Sequence, residues 1–314
     1  MHRSRLLIVP TLLILLTASG CSGTTTVSPT DGGADVQVAT RQLDLRDPSR
    51  VADPTPEEPG TDAVAGRDLP TTLFYPAAGE GPFPVVVFSH GFSSSPGAYF
   101  DLLESWAAAG LVIAAPAFPL TKEGSALVDA DVANQPADVS FVLDQVLALD
   151  DTAADDLAGR IDAAHVAVAG HSAGAVTTLG LLDTCCREPR ATAALVLSGG
   201  LVLSGGLEVF GATAVSPGLP TLFVHGTADD VLPISGDRDA YAATPGPKAF
   251  VELPGGTHSS PYDDPSDPYA TAVEEVSTDF LRWSLAGDTD ALTDLRKDAD
   301  QSGVTELAED QLTP

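Results

Sequence analysis

One stretch constrains the fold of this chain more than any other: Arg160-Ile-Asp-Ala-Ala-His-Val-Ala-Val-Ala-Gly-His-Ser-Ala-Gly-Ala175. His165 to Ala169 is a short apolar run with β-branched residues, the pattern of a central parallel strand. Gly170-His171-Ser172-Ala173-Gly174 fits G-x-S-x-G, and Ala175 to Leu182 continues with apolar residues compatible with a helix. Strand, sharp turn and helix form the context in which that motif lifts a serine above a sheet. The turn forces Ser172 into a strained backbone conformation, so the residues two before and two after it must be small. Gly170 and Gly174 meet that demand. The following helix points its positive end at the serine. An inert serine in a glycine-rich turn is the alternative, and the rest of the chain has to decide.

The surrounding chain alternates. Apolar runs at Pro84–Phe88, Leu111–Ala115, Ala191–Ser198, Leu219–His225 and Ala249–Leu253 read as buried strands. Helical segments lie between them. Ser93-Ser94-Ser95-Pro96 opens one that runs to Ala109. Asp131–Leu149 carries Val139, Val142, Leu143 and Val146 at helical spacing, Pro233–Ala242 is a third, and Tyr269–Leu285 is an amphipathic closing helix. Such alternation implies an α/β fold with a doubly wound, mostly parallel sheet. Antiparallel strands at Val36–Leu45 and Leu69–Tyr75 precede it. A Pro-rich loop around Asp53–Gly60 lies between them, and Asp47-Pro48-Ser49-Arg50 is expected at the first turn.

Ligands bind at the carboxyl ends of parallel strands. The central strand ends at Ser172. The strand Leu219–His225 ends in Gly226-Thr-Ala-Asp-Asp230, and Ala249–Leu253 ends in Pro254-Gly-Gly-Thr-His258. Three strand ends therefore supply Ser, Asp and His in that order, the residue types of nucleophilic acyl transfer. Beyond Ser172 there are only two histidines, and His225 precedes the acid loop, so His258 is the base. His225 is expected to pack at its strand end beside the site. The acid is Asp229 or Asp230; if Asp229, then Asp230 is free to cap the next helix. A developing oxyanion needs two backbone N–H groups. Ala173 supplies one and Phe92, in His90-Gly91-Phe92, the other. His90 and His171 are expected to support the elbow and its loop. Phe92 and Phe118 are candidates for the substrate pocket wall, with plain core packing as the alternative.

These residues carry a resemblance. The chain resembles the α/β-hydrolase superfamily, and within it the serine esterases that include platelet-activating-factor acetylhydrolases, chlorophyllases and cutinase-like polyester hydrolases. Pro82-Phe-Pro-Val-Val-Val-Phe-Ser-His-Gly-Phe92, Gly170–Gly174 and Gly226–Asp229 carry it, and Asp47–Arg50 with Leu73-Phe-Tyr-Pro76 extend it to the first strands. The resemblance implies the α/β-hydrolase fold and ester hydrolysis through an acyl-serine, with no cofactor. Ser172 would be the nucleophile, His258 the base and Asp229 the acid. Lipid-like or polyester-type esters are the implied substrates. The elbow ends Ala-Gly-Ala without the Gly-Gly of many relatives, which leaves the substrate class open. A peptidase or thioesterase would use the same machinery, and a non-catalytic lipoprotein holding a hydrophobic ligand would use the same fold.

The ends of the chain carry other signals. Residues 1–20 read as a lipoprotein-type signal peptide, with basic His2, Arg3 and Arg5 before the apolar run Leu6–Leu16. Ala18-Ser19-Gly20-Cys21 resembles a lipobox, making Cys21 the expected lipidation site. An ordinary signal peptide is the alternative. Either form implies export, to the bacterial cell surface, a membrane anchor or secretion. Residues 21–33 read as a flexible tether, 34–287 as the catalytic domain and 288–314 as an acidic tail. With 44 Asp and Glu against 15 Lys and Arg, the chain is a poor partner for nucleic acid or anionic lipid. The adjacent Cys185 and Cys186 are expected to be structural, reduced or bridged, and no second soft pair suggests zinc. In the tail, Asp298, Asp300, Ser302, Glu306 and Glu309 with Gly303 fit the calcium-loop spacing. A solvated helical tail is the simpler expectation, and no resident metal is expected.

Overall fold

The computed structural model describes residues 36–52, 64–203, 207–208, 210 and 218–313. The leader, Cys21, the tether and the Pro-rich loop at 53–63 lie outside the described residues. In chain order the strands are β1 (Val38–Ala52), β2 (Val64–Pro76), β3 (Phe83–Ser89), β4 (Val112–Pro116), β5 (Ile161–His171), β6 (Ala191–Leu197), β7 (Val202–Leu203), β8 (Leu207–Glu208), β9 (Thr221–Gly226), β10 (Lys248–Leu253) and β11 (Glu306–Asp310). The helices are α1 (Phe100–Ala108), α2 (Gln135–Leu147), α3 (Ala173–Leu182), α4 (Ile234–Ala243), the single turn α5 (Ser260–Asp263), α6 (Ala270–Ala286) and α7 (Thr289–Asp298). Nine strands form one sheet in the order β1-β2-β4-β3-β5-β6-β9-β10-β11, while β7 and β8 pair separately. Pairing is parallel from β4 through β10, and antiparallel for β1 with β2, β2 with β4 and β10 with β11.

The continuous apolar runs form the parallel centre because strands covered on both faces have no polar side. Every residue of β4, β9 and β10 is buried. Alternation along each strand then divides the core. Val86, Phe88, Ile113, Ala167, Leu195 and Val224 pack with Trp106 of α1, Phe280 of α6 and Leu292 of α7. Val85, Val87, Val112 and Val168 pack with Val139, Val142 and Val146 of α2. Phe223 and Phe250 pack with Leu179 of α3 and Tyr241 of α4. All ten residues of α3 are buried, so this helix has no amphipathic stripe. No helix among the described residues is long and apolar enough to cross a membrane.

Three local expectations are corrected. Asp131–Leu149 is not one helix: a 3-10 segment, Asp129–Asn134, leads into α2. Pro136 lies at the start of α2, where its missing N–H costs nothing, and the Asp131 carboxylate is drawn away to Arg67. Asp47–Arg50 lies inside β1 at an irregularity, not at a turn. The Asp47 carboxylate accepts from Ser49 N at 2.9 Å and Arg50 Nε at 2.7 Å, and Arg50 continues to Asp138 at 2.5 Å. Arg67, buried, makes paired bonds to both Asp131 and Asp138 at 2.7–2.8 Å. This ion cluster fastens the first hairpin to α2.

The third correction is the tail. It is not a solvated appendage: α7 buries Ala291, Leu292 and Leu295, and β11 adds an antiparallel edge to β10. Asp298, Asp300, Ser302 and Glu309 do not gather around an ion site. Glu309 lies in β11 opposite Phe250, and among the described residues no three His, Cys, Asp or Glu converge to hold a metal. Thr305 closes the turn instead, donating to Asp298 O at 2.8 Å and accepting from Gln301 N at 2.9 Å. Cys185 and Cys186 are disulfide-bonded just after α3.

Candidate active site

Ser172 stands between β5 and α3 with φ 57° and ψ −121°, a region non-glycine residues rarely occupy. The local packing explains both glycines of the motif. A Cβ on Gly170 would lie 2.2 Å from Gly174 O, and a Cβ on Gly174 would lie 1.9 Å from Ser89 O. A side chain at Gly174 would push the turn away from β3, and one at Gly170 would force the turn itself open. Ser172 N donates to Leu197 O at 3.0 Å, tying the turn to β6.

The ends of β5, β9 and β10 bring three of the expected residues together. His258 Nε2 is 2.7 Å from Ser172 Oγ, and His258 Nδ1 is 2.7 Å from Asp229 Oδ2. A carboxylate only accepts, so Nδ1 carries the hydrogen and Nε2 faces the serine hydroxyl with its lone pair. Asp229 Oδ1 accepts from Val231 N and Leu232 N, each at 2.9 Å. Burial would raise the Asp229 carboxyl, but hydrogen bonds from His225 and His258 outweigh it and hold it well below the usual range. Asp230 is exposed and touches neither imidazole. Nor does it cap α4, whose N-cap is Pro233 with no side-chain bond. The helix starts three residues too late for Asp230 to reach its free N–H groups.

A cleft of about 440 Å³ opens over Ser172, walled by Phe92, Ala173, Leu232 and His258. Ala173 is the first residue of α3, so its N–H has no partner within the helix. No described residue accepts the Phe92 N–H. Phe118 does not line this cleft. It is fully buried, its N–H donates to His90 Nε2 at 3.1 Å, and its ring packs on that imidazole with centroids 5.1 Å apart. The chain turns after β4 so that Phe118 backs the loop below His90; of the two phenylalanines, only Phe92 lines the wall.

Residues 61–196 match the family described as chlorophyllase, an α/β-hydrolase-type family. The nine-stranded mixed sheet with antiparallel first strands agrees with that match. The described residues adopt an α/β-hydrolase fold. No curated protein matches the chain significantly. The family likeness points to an ester hydrolase. The matched part of the chain contains Phe92, Ser172 and Ala173 and stops before Asp229 and His258.

Further residues hold these groups in place. His171 Nε2 is 2.8 Å from His258 O, and its Nδ1 is 2.8 Å from Tyr99 Oη. The carbonyl can only accept, so Nε2 donates and Nδ1 accepts from Tyr99. Gly91 N in turn donates to Tyr99 Oη at 3.1 Å. One chain of bonds therefore links the Phe92 loop, the elbow and the backbone of His258. Burial lowers His171 to about 3 and His90 to about 4, which keeps both neutral. His171 and His90 were expected as supports, whereas Tyr99 was not: it is one aromatic in a helical start, and nothing in its neighbours marks it. His225 does more than pack. Its Nδ1 is 2.7 Å from Asp237 Oδ2 and its Nε2 is 3.1 Å from Asp229 Oδ2. Asp237 had no sequence signal either, because it becomes a partner only when α4 lies across β9.

Proposed function

We propose that this chain is a serine hydrolase of carboxylic esters that works outside the cytoplasm. The observation that carries this reading is the unbroken line Asp229–His258–Ser172, both links 2.7 Å, at the floor of an open cleft. His258 Nε2 removes the Ser172 proton as Oγ attacks the ester carbonyl, and returns it to the leaving alkoxide. Asp229 fixes the tautomer and stabilises the imidazolium as it forms. The N–H groups of Phe92 and Ala173 face the oxyanion, each supplying about 3 kcal/mol by comparison with measured oxyanion holes. Water then repeats the sequence on the acyl-serine, again through His258. The strained Ser172 favours catalysis over passive ligand binding, since a binding site has no use for a costly backbone conformation at a hydroxyl.

Phe92 and Leu232 give the cleft an apolar side, which suits an ester with an acyl or alkyl arm rather than a charged polymer. The basic start, apolar run and Cys21 support export with a lipid at Cys21, which would hold the enzyme at a membrane surface. A fluorophosphonate probe tests the reading. It should add one phosphonyl group per chain, on the peptide containing Ser172, and His258→Ala should slow the labelling at least about a hundredfold. Labelling at another serine, or none on folded protein, would contradict it.

A further inference from the structure

His225 is fully buried at the end of β9, and every atom within hydrogen-bonding reach of its two ring nitrogens is an oxygen. Nε2 is 2.9 Å from Leu232 O and 3.1 Å from Asp229 Oδ2, while Nδ1 is 2.7 Å from Asp237 Oδ2. A peptide carbonyl accepts only, so Nε2 must carry a hydrogen. Ionised Asp237 only accepts, and its Oδ2 also takes Gly199 N at 2.9 Å, so Nδ1 donates to it. A neutral imidazole has one hydrogen to give and would leave one nitrogen lone pair facing an oxygen. The doubly protonated ring satisfies all its contacts. Electrostatics agree: burial opposes the charge, but the bonds to Asp229 and Asp237 raise His225 to about 9.

We propose that His225 is a positioning residue, a standing imidazolium that Asp237 presses against Asp229 so that this carboxylate divides its charge between two imidazoles. The proposal rests on the triad reading above and adds what sets the charge that Asp229 presents to His258. Asp229 Oδ2 serves His258 and His225 together. A cation beside it takes up part of that charge and weakens the support it gives to an imidazolium at His258. The other groups facing this cluster do not replace that charge. His171 is held neutral by burial, Tyr262 donates its hydroxyl to Val224 O at 3.0 Å, Glu252, opposite His225 on β10, is engaged by Arg238, and Asp263 of α5, which faces His258 across the cleft, is an acid that burial raises.

The test compares the pH dependence of kcat/KM for p-nitrophenyl acetate in the wild type and His225→Gln, with thermal transitions measured in parallel. Gln keeps an N–H donor and removes the charge. The acid limb should move up by about one pH unit in His225→Gln. A purely structural role would lower the rate at every pH and leave the limb in place, which would overturn the proposal. Nitrogen NMR of the wild-type imidazoles needs neither variant folding nor turnover. One ring should keep both nitrogens protonated at about pH 7.5, where a free histidine is mostly neutral; a neutral tautomer at His225 would also overturn the proposal. Ser172→Ala separates the two readings. If it abolishes turnover while the limb stays put in His225→Gln, only the present proposal falls. If Ser172→Ala remains active, the triad reading falls and this proposal with it.

Discussion

Ser172 shows what a single position can and cannot announce. Its motif is visible because the two glycines are required by backbone contacts under 2.5 Å, a demand local enough to be written in five residues. The acid is less local. Asp229 and Asp230 are adjacent and chemically identical, and only the fold turns one to His258 and the other to solvent. Asp229→Asn should therefore reduce kcat by about ten-thousandfold, as expected when the base loses its tautomer partner, and Asp230→Asn by less than about twofold. Steady-state rates on one ester decide this, and the reverse ranking would reassign the acid. Phe118 marks the limit at this scale. An aromatic after a strand reads equally as a wall or as core, and its burial against His90 depends on how two loops meet. Tyr99 and Asp237 lie beyond that limit, because each gains its partner from a segment distant in the chain.

Elements were legible where one physical demand acted along a whole segment. The parallel strands had to be apolar on both faces, so β3 through β6, β9 and β10 could be read as runs. The elbow joins β5 to α3 without slack, which makes Gly174→Ala a strong test. Its Cβ would meet Ser89 O at 1.9 Å, so the variant should lose more than about 3 kcal/mol or fail to fold. A thermal midpoint within a degree or so of wild type would refute the turn geometry. The last strand escaped the sequence reading because its composition is that of a solvated tail. Glu306-Leu-Ala-Glu-Asp310 has one bulky apolar residue, and pairing with β10 supplies what propensity does not. Ending the chain after Val304 should cost about 3 kcal/mol from Leu307 and Leu312. It should also leave the β10 edge open to aggregation, visible in light scattering.

At the scale of the whole molecule, pH acts through a few buried groups in a chain of net charge −29. His90 and His171 are held below the ordinary histidine value, so the unfolded chain takes up their protons first. Their contribution is full above about pH 6.5 and is lost as pH falls toward about 4 and 3. His225 has the opposite sign: its contribution is full below about pH 6.5 and is lost as pH rises through about 9. Asp279 on α6 is raised to about 7, first by burial and then by Asp294, Asp298 and Glu275, against the pull of Arg282. A raised carboxyl favours the folded state while protonated, so this contribution is lost as pH rises from about 4 through about 7. Asp279→Asn should then stabilise the protein at about pH 8 by on the order of 2 kcal/mol and do little at about pH 5. Equal effects at both would contradict this assignment. Ester cleavage at Ser172 is decided by hydrolysis of p-nitrophenyl esters, from acetyl to palmitoyl, by the chain from Ser22 onward beside its Ser172→Ala variant. Turnover should disappear in the variant while its thermal transition stays near wild type. Hydrolysis that survives Ser172→Ala, or silence across the series from a folded wild type, would contradict cleavage at that serine.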